Sequence, residues 1–192
     1  YQSTTLIIIK TTMLVLGKPI KASSNEIKIL FVGSSFFANL EGVEWFCTRV
    51  LPFIKCKLII VGNGFEKEKN NPNLSNAEIK GRVDDLASYY SYCDFVIAPI
   101  FSGSGMKTKI AEALMYSRPI IGTKEAFTGY IDNINSPLIE SNTKEEFILE
   151  INRLMADVDR IKKLWENSRK LYEAKYSNTF NESIFRDFLL RS

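Results

Sequence analysis

Residues 94–123 read DFVIAPIFSGSGMKTKIAEALMYSRPIIGT, a short apolar strand, a loop with two glycines, an amphipathic helix and a second apolar strand. Asp94 to Pro99 is apolar, bounded by Pro and Gly, and too short for most helices, which predicts a buried strand. From Met106 the residues Met106, Ile110, Ala113 and Leu114 recur at helical spacing. The expected helix therefore starts where the glycines end and leaves Lys107 and Glu112 off its apolar face. A small-residue loop lets a ligand approach the backbone, and the first-turn amides of a helix have no internal acceptor, so their partial positive charge favours phosphate oxygens. Candidate ligand contacts are Gly103, Ser104, Gly105, Met106, Lys107, Thr108 and Lys109, the two lysines adding full positive charge. Two plainer readings also fit. The glycines suit a tight turn, and Glu112 suits an exposed pair with Lys109, worth about 0.2–0.5 kcal/mol. A P-loop does not fit, because Met106 stands where that motif needs Gly before Lys-Thr and the stretch does not follow the first strand.

The chain has 192 residues, 45% hydrophobic and 24% charged, which suits one globular domain with a sizeable core. Its 25 basic and 22 acidic residues leave a formal +3, too little to argue for nucleic acid as a partner. Histidine is absent, which excludes a His triad, a His metal site and a His general base within this chain. Cys47, Cys56 and Cys93 are odd in number, lack CxxC spacing and sit in or beside apolar stretches, so buried free thiols in a reducing cytoplasm are expected.

Two apolar bursts, 6–9 and 13–16, read as short strands, too brief for a membrane span and without a secretory signal's features. Lys21 to Glu26 reads as a linker. Ile27 to Val32 is the expected first Rossmann strand, with Gly33 permitting a sharp turn into a loop at the carboxyl edge of a parallel sheet, where ligands collect. Gly33 and Ser34 are candidates there. Further glycines are missing at Ser35 and Ala38, which disfavours a dinucleotide fingerprint. Val43 to Pro52 is the expected returning helix, with Trp45 and Phe46 as core. Strands are expected at 57–61, 77–81, 119–123 and 137–139, and the polar 62–76 leaves little room for a helix. Asp84 is placed as the cap of a helix over 85–92, whose tyrosines read as packing. Thr143 and Glu146 form an expected capping box, followed by helices to Met155 and over 158–176, and a last amphipathic helix over 178–190.

Five stretches in order carry a resemblance: 29–34 with Gly33, Trp45-Phe46 through Leu51-Pro52, 58–64, Gly81-Arg82-Val83-Asp84-Asp85-Leu86, and the 99–123 segment. Over about 28–175 the chain resembles the donor-binding, C-terminal domain of bacterial GT-B glycosyltransferases, glycosyl transferases group 1, family 4-like. The resemblance implies an α/β fold: one Rossmann-like domain with a parallel sheet of about six strands and helices on both faces. It implies a segment 1–26 from a preceding domain, the nucleotide-sugar-binding domain 27–176, and a C-terminal helix 177–192 that crosses back. Tyr1 in place of Met fits a trimmed chain. By family match Glu112 bonds the ribose hydroxyls, Arg82 and Val83 flank the base, and backbone amides of Gly105 and Met106 with Lys107 or Lys109 hold the donor phosphates. The family's first glutamate falls on Ser104, and its Lys or Arg after the first strand is missing, so a lysine of the 107–109 pair is expected to substitute.

The activity implied is transfer of a sugar from a nucleotide diphosphate sugar to a glycan or lipid-linked acceptor in polysaccharide or lipopolysaccharide synthesis, with retention and without a metal or other cofactor. The acceptor would bind through the absent first domain, so this half alone is expected to bind donor and turn over nothing. No catalytic side chain is assigned. The implied location is cytoplasmic, with peripheral association at the inner membrane face. A non-catalytic nucleotide-sugar-binding domain and a sugar-nucleotide epimerase half stay open as alternatives.

Overall fold

The computed structural model describes residues 26–130 and 136–177. The apolar bursts before residue 25 and the helix expected over 178–190 lie outside the described residues. Six strands form one parallel sheet, ordered β3-β2-β1-β4-β5-β6. They are β1 Ile27–Val32, β2 Cys56–Val61, β3 Glu78–Gly81, β4 Phe95–Ala98, β5 Ile120–Gly122 and β6 Leu138–Glu140. The helices are α1 Phe37–Arg49, α2 Leu86–Tyr92, α3 Thr108–Met115, α4 Lys144–Ala156 and α5 Val158–Lys175. Segment 62–76 carries only two short 3₁₀ turns, Phe65–Glu68 and Pro72–Leu74.

Strands covered on both faces read as unbroken apolar runs, and Phe95 to Ala98 at the centre are each 0% exposed. From β1 the chain moves outward through β2 to β3, then crosses to β4 and moves the other way through β5 to β6. Right-handed crossovers in opposite directions put α1 and α3 on opposite faces. Accordingly Phe46 of α1 meets Phe147 of α4 edge-on at 5.9 Å, while α2, α3 and α5 share the other face. Arg118 fastens that second face. Its guanidinium is buried, donates from Nε to the Tyr90 carbonyl at 2.6 Å and lies 4.6 Å from the Trp165 ring.

Several local expectations shift by a few residues. Helix α1 begins at Phe37, six residues before the expected start, although Phe36 provides no side-chain cap. Asp85, not Asp84, caps α2, accepting from the Ser88 amide at 3.2 Å. The capping box forms as read: Glu146 N–H donates to Thr143 Oγ1 at 3.3 Å and Thr143 N–H to Glu146 Oε2 at 3.1 Å. Such a cap contributes about 1 kcal/mol. Helix α3 begins at Thr108, with Lys107 at the N-cap position making no side-chain cap, so Met106 belongs to the loop and is 52% exposed. The apolar stripe reduces to Ile110, Ala113 and Leu114, all buried. Met106 fitted the helical spacing, but the extended backbone of Lys107 breaks the helix before reaching it.

Candidate functional site

The order in which strands are added reverses between the parallel neighbours β1 and β4, so the loops leaving them diverge and open a crevice at the carboxyl edge of the sheet. One wall is Gly33 to Asn39. The other is Ile100 to Lys107 and the start of α3. Two side-chain bonds span the crevice, Ser102 Oγ to Glu41 Oε2 at 3.2 Å and Lys109 Nζ to Asn39 Oδ1.

Lys109 lies deepest. Its ammonium sits 4.6 Å from the Phe31 ring centre, and a Cβ at Gly33 would stand 3.0 Å from Nζ and 2.9 Å from Asn39 Nδ2. Besides the turn expected of it, Gly33 leaves the ends of these two side chains uncrowded. Asn39 is fixed from its other side, Nδ2 donating to the Ser34 carbonyl at 2.8 Å. Among the described residues no carboxylate pairs with Lys109, and burial, with the charge of Lys107, pulls its pKa down from 10.5 to about 8. The reading of Glu112 as Lys109's surface partner is therefore set aside: Lys109 points to Asn39 and Glu112 points elsewhere. Lysines at the far edge behave differently. Lys57 and Lys80 both pair with Glu78, so each ammonium in the groove they line with Tyr89 and Tyr92 has a carboxylate beside it.

Across the loop Gly103 to Lys109, no backbone amide reaches an acceptor among the described residues. The first amide of α3 to be satisfied is Ile110's, which donates to the Lys107 carbonyl at 2.9 Å. Gly103 at φ 120° and Gly105 at φ 71° hold the loop in a conformation that side-chain-bearing residues rarely adopt. Ser104 and Thr108 are exposed. Successive N–H groups without a protein acceptor, beside a part-buried ammonium, form an anion-seeking concavity. Lys107 is already engaged, its Nζ donating to the Gly105 carbonyl and to Glu125 Oε1, each at 2.8 Å.

Glu112 sits one turn further along α3, half-buried. Its Oε2 accepts from the Tyr90 hydroxyl at 3.1 Å, and burial raises its pKa. Tyr90 is itself fixed by stacking on Tyr116 at 4.6 Å. Oε1 makes no bond to the described residues, so it can accept from a ligand hydroxyl. Arg82 and Val83 lie in the loop after β3, two strands from β1. Arg82 is exposed there, and the Glu66 carboxylate is held below its usual range by the amides of Glu66, Gly64 and Arg82. The structure thus brings Gly33, Ser34 and Gly103 to Lys109 together at the crevice, holds Glu112 one turn along α3 against Tyr90, and sets Arg82 and Val83 in the loop after β3.

Sequence reasoning gave no role to Asn39, Tyr90, Glu125 or Tyr130. Asn39, Glu125 and Tyr130 carried no motif, and Tyr90 read as packing. Only the spatial neighbourhood of the two lysines and Glu112 could have singled them out. Phe36, Phe37, Phe101 and Met106 are 69%, 69%, 40% and 52% exposed around this crevice. No helix of the described residues is long and apolar enough to cross a membrane.

Among curated sequences the chain is 25% identical to a 44.6 kDa protein in the cps region of Klebsiella pneumoniae, over 83% of this chain and 45% of that protein. The fold is similar to that of sucrose-phosphate synthase from Thermosynechococcus elongatus, with TM-score 0.70, 18% identity, and coverage of 94% of this chain and 49% of the other. It is also similar to Anabaena HepE in complex with UDP, with TM-score 0.68, 14% identity, and coverage of 94% and 51%. For TarM the values are 0.65, 19%, 88% and 35%. The chain spans about half or less of the length of these relatives. The family model for glycosyl transferases group 1 matches residues 26–157. The chain belongs to the glycosyl transferases group 1 family.

Proposed function

We propose that this chain is the donor half of a glycosyltransferase and that the crevice between β1 and β4 binds a nucleotide diphosphate sugar. The observation that carries the reading is Lys109: a part-buried ammonium with no carboxylate partner among the described residues, beside a run of amides without a protein acceptor. Leaving a buried cation unpaired is costly, and a diphosphate supplies the missing charge. Lys109 then does the work of the basic residue that relatives place after the first strand, and Glu112 Oε1 receives the ribose hydroxyls. Arg82 and Val83 flank the base. UDP in a structure of similar fold supports a uridine nucleotide as the first donor to try.

In the proposed reaction the sugar passes to an acceptor hydroxyl with retention, and charge developing on the leaving diphosphate is met by the 105–109 amides and the lysines without a metal. A well-placed donor of this kind contributes about 3–4 kcal/mol to the barrier reduction. Phe36, Phe37, Phe101 and Met106 rim the crevice where a second, acceptor-binding half closes. The relative from a cps region supports a glycan or lipid-linked acceptor in polysaccharide synthesis. Calorimetric titration with UDP-, GDP- and ADP-sugars tests the site. Saturable binding weakened about tenfold or more by Lys109→Met and by Glu112→Ala is expected, and affinity indifferent to both substitutions contradicts the reading.

A further inference from the structure

The loop after β5 braces the candidate anion loop at three points. Glu125 Oε1 holds Lys107 Nζ at 2.8 Å. Met106 packs on Gly129 so closely that a Cβ there would fall 2.5 Å from Met106 Cγ. The third contact enters the helix itself. Tyr130 Oη donates to the Lys107 carbonyl at 2.8 Å and accepts from the Ala111 amide at 3.3 Å.

An unmodified first turn would send the Ala111 amide straight to the Lys107 carbonyl, four residues back. Here a hydroxyl stands between them, and the Lys107 carbonyl takes the Ile110 amide instead, at 2.9 Å. A side chain from another loop thus joins two backbone groups of the first turn of α3. The pitch of that turn sets the direction of the Thr108 and Lys109 amides and the point from which the Lys109 side chain departs. Tyr130 is itself anchored, its ring 5.1 Å from that of Tyr176 beyond the end of α5. Burial raises its pKa, so the hydroxyl keeps the proton that it donates.

We propose that Tyr130 is a positioning residue for the anion site: its hydroxyl, inserted between the Lys107 carbonyl and the Ala111 amide, aims the amides of residues 108 and 109 and the Lys109 ammonium at a diphosphate. The assignment rests on the donor-site reading above and deepens it. Tyr130→Phe removes the hydroxyl and keeps the ring. Titrated by NMR into the 192-residue chain, inorganic pyrophosphate should bind the variant about fivefold to tenfold more weakly, while uridine, which carries no phosphate, binds both proteins alike. Equal pyrophosphate affinity in the two proteins overturns the proposal. So does a parallel loss for uridine, which makes Tyr130 a support of the fold alone. Absence of pyrophosphate binding in the wild type removes the donor site and this inference with it. A check independent of the variant is the wild-type amide spectrum: pyrophosphate should move Ala111 together with Thr108 and Lys109. An Ala111 resonance that stays still while the other two move contradicts the insertion's role.

Discussion

Replacing Lys109 with Met should make the protein more stable and a poorer binder of nucleotide. The side chain keeps its length and loses its charge. Displacement of the Lys109 pKa from 10.5 to about 8 corresponds to roughly 3 kcal/mol against the charged form, at about 1.4 kcal/mol per pH unit. The substitution also forfeits the bond to Asn39 and the contact with the Phe31 ring, so the net gain at pH 7 is about 1–3 kcal/mol. Below pH 8 the lysine is charged in both folded and unfolded chains and the full cost of burying it is present. Between pH 8 and about 10.5 the unfolded state binds more protons, so wild-type stability rises with pH relative to the variant. Above that window the cost is gone. Urea unfolding at pH 7 and at pH 10.5 therefore should show Lys109→Met the more stable at the lower pH, with the advantage lost at the higher. UDP affinity should fall about tenfold to a hundredfold, as for losing a hydrogen bond from a charged group. A variant that is less stable at pH 7 and binds UDP like the wild type would show that the ammonium serves the fold, and the argument from an unpaired cation would fail.

Glu112→Gln retains an acceptor for Tyr90 but loses the charge offered to the ribose, so calorimetry should show UDP about tenfold weaker and pyrophosphate unchanged. Glu125→Gln releases Lys107 from its ion pair, and UDP affinity should rise about twofold to fivefold, in line with what a partly exposed pair is worth. Gly105→Ala meets open space for its Cβ but must hold φ at 71°, so it should cost about 1–2 kcal/mol, seen as a lowered thermal midpoint, and weaken UDP. Burial pushes the thiols of Cys47, Cys56 and Cys93 up to about 12, so a thiol reagent at pH 8 should label them slowly until the chain is unfolded.

The sheet was legible because its strands are unbroken apolar runs. Ile29 to Phe31, Leu58 to Val61 and Phe95 to Ala98 are buried on both faces, and burial on both faces removes the polar residues that blur a strand's limits. Helix starts were less legible. Helix α1 opens on exposed Phe36 and Phe37 without a capping side chain, and Met106 mimics a helical position while packing on Gly129 from a loop. Thr143 and Glu146 carry their cap within four residues, and that start was read correctly.

The same contrast holds at the crevice. Gly103 to Lys109 are contiguous, so their clustering could be read along the chain. Asn39, Glu125 and Tyr130 stand 70, 18 and 23 residues from the groups they hold, and no spacing rule reaches that far. Gly33 is singled out for its turn, and the space it leaves beside a lysine from α3 shows only in the structure.

The most direct measurement is a crystal structure of this chain with UDP. The account predicts the diphosphate in the crevice between β1 and β4, accepting from amides within 105–109 and from Lys109 Nζ, with the ribose at Glu112. A diphosphate bound instead in the groove of Lys57 and Lys80 beside β3, with the crevice empty, would contradict it.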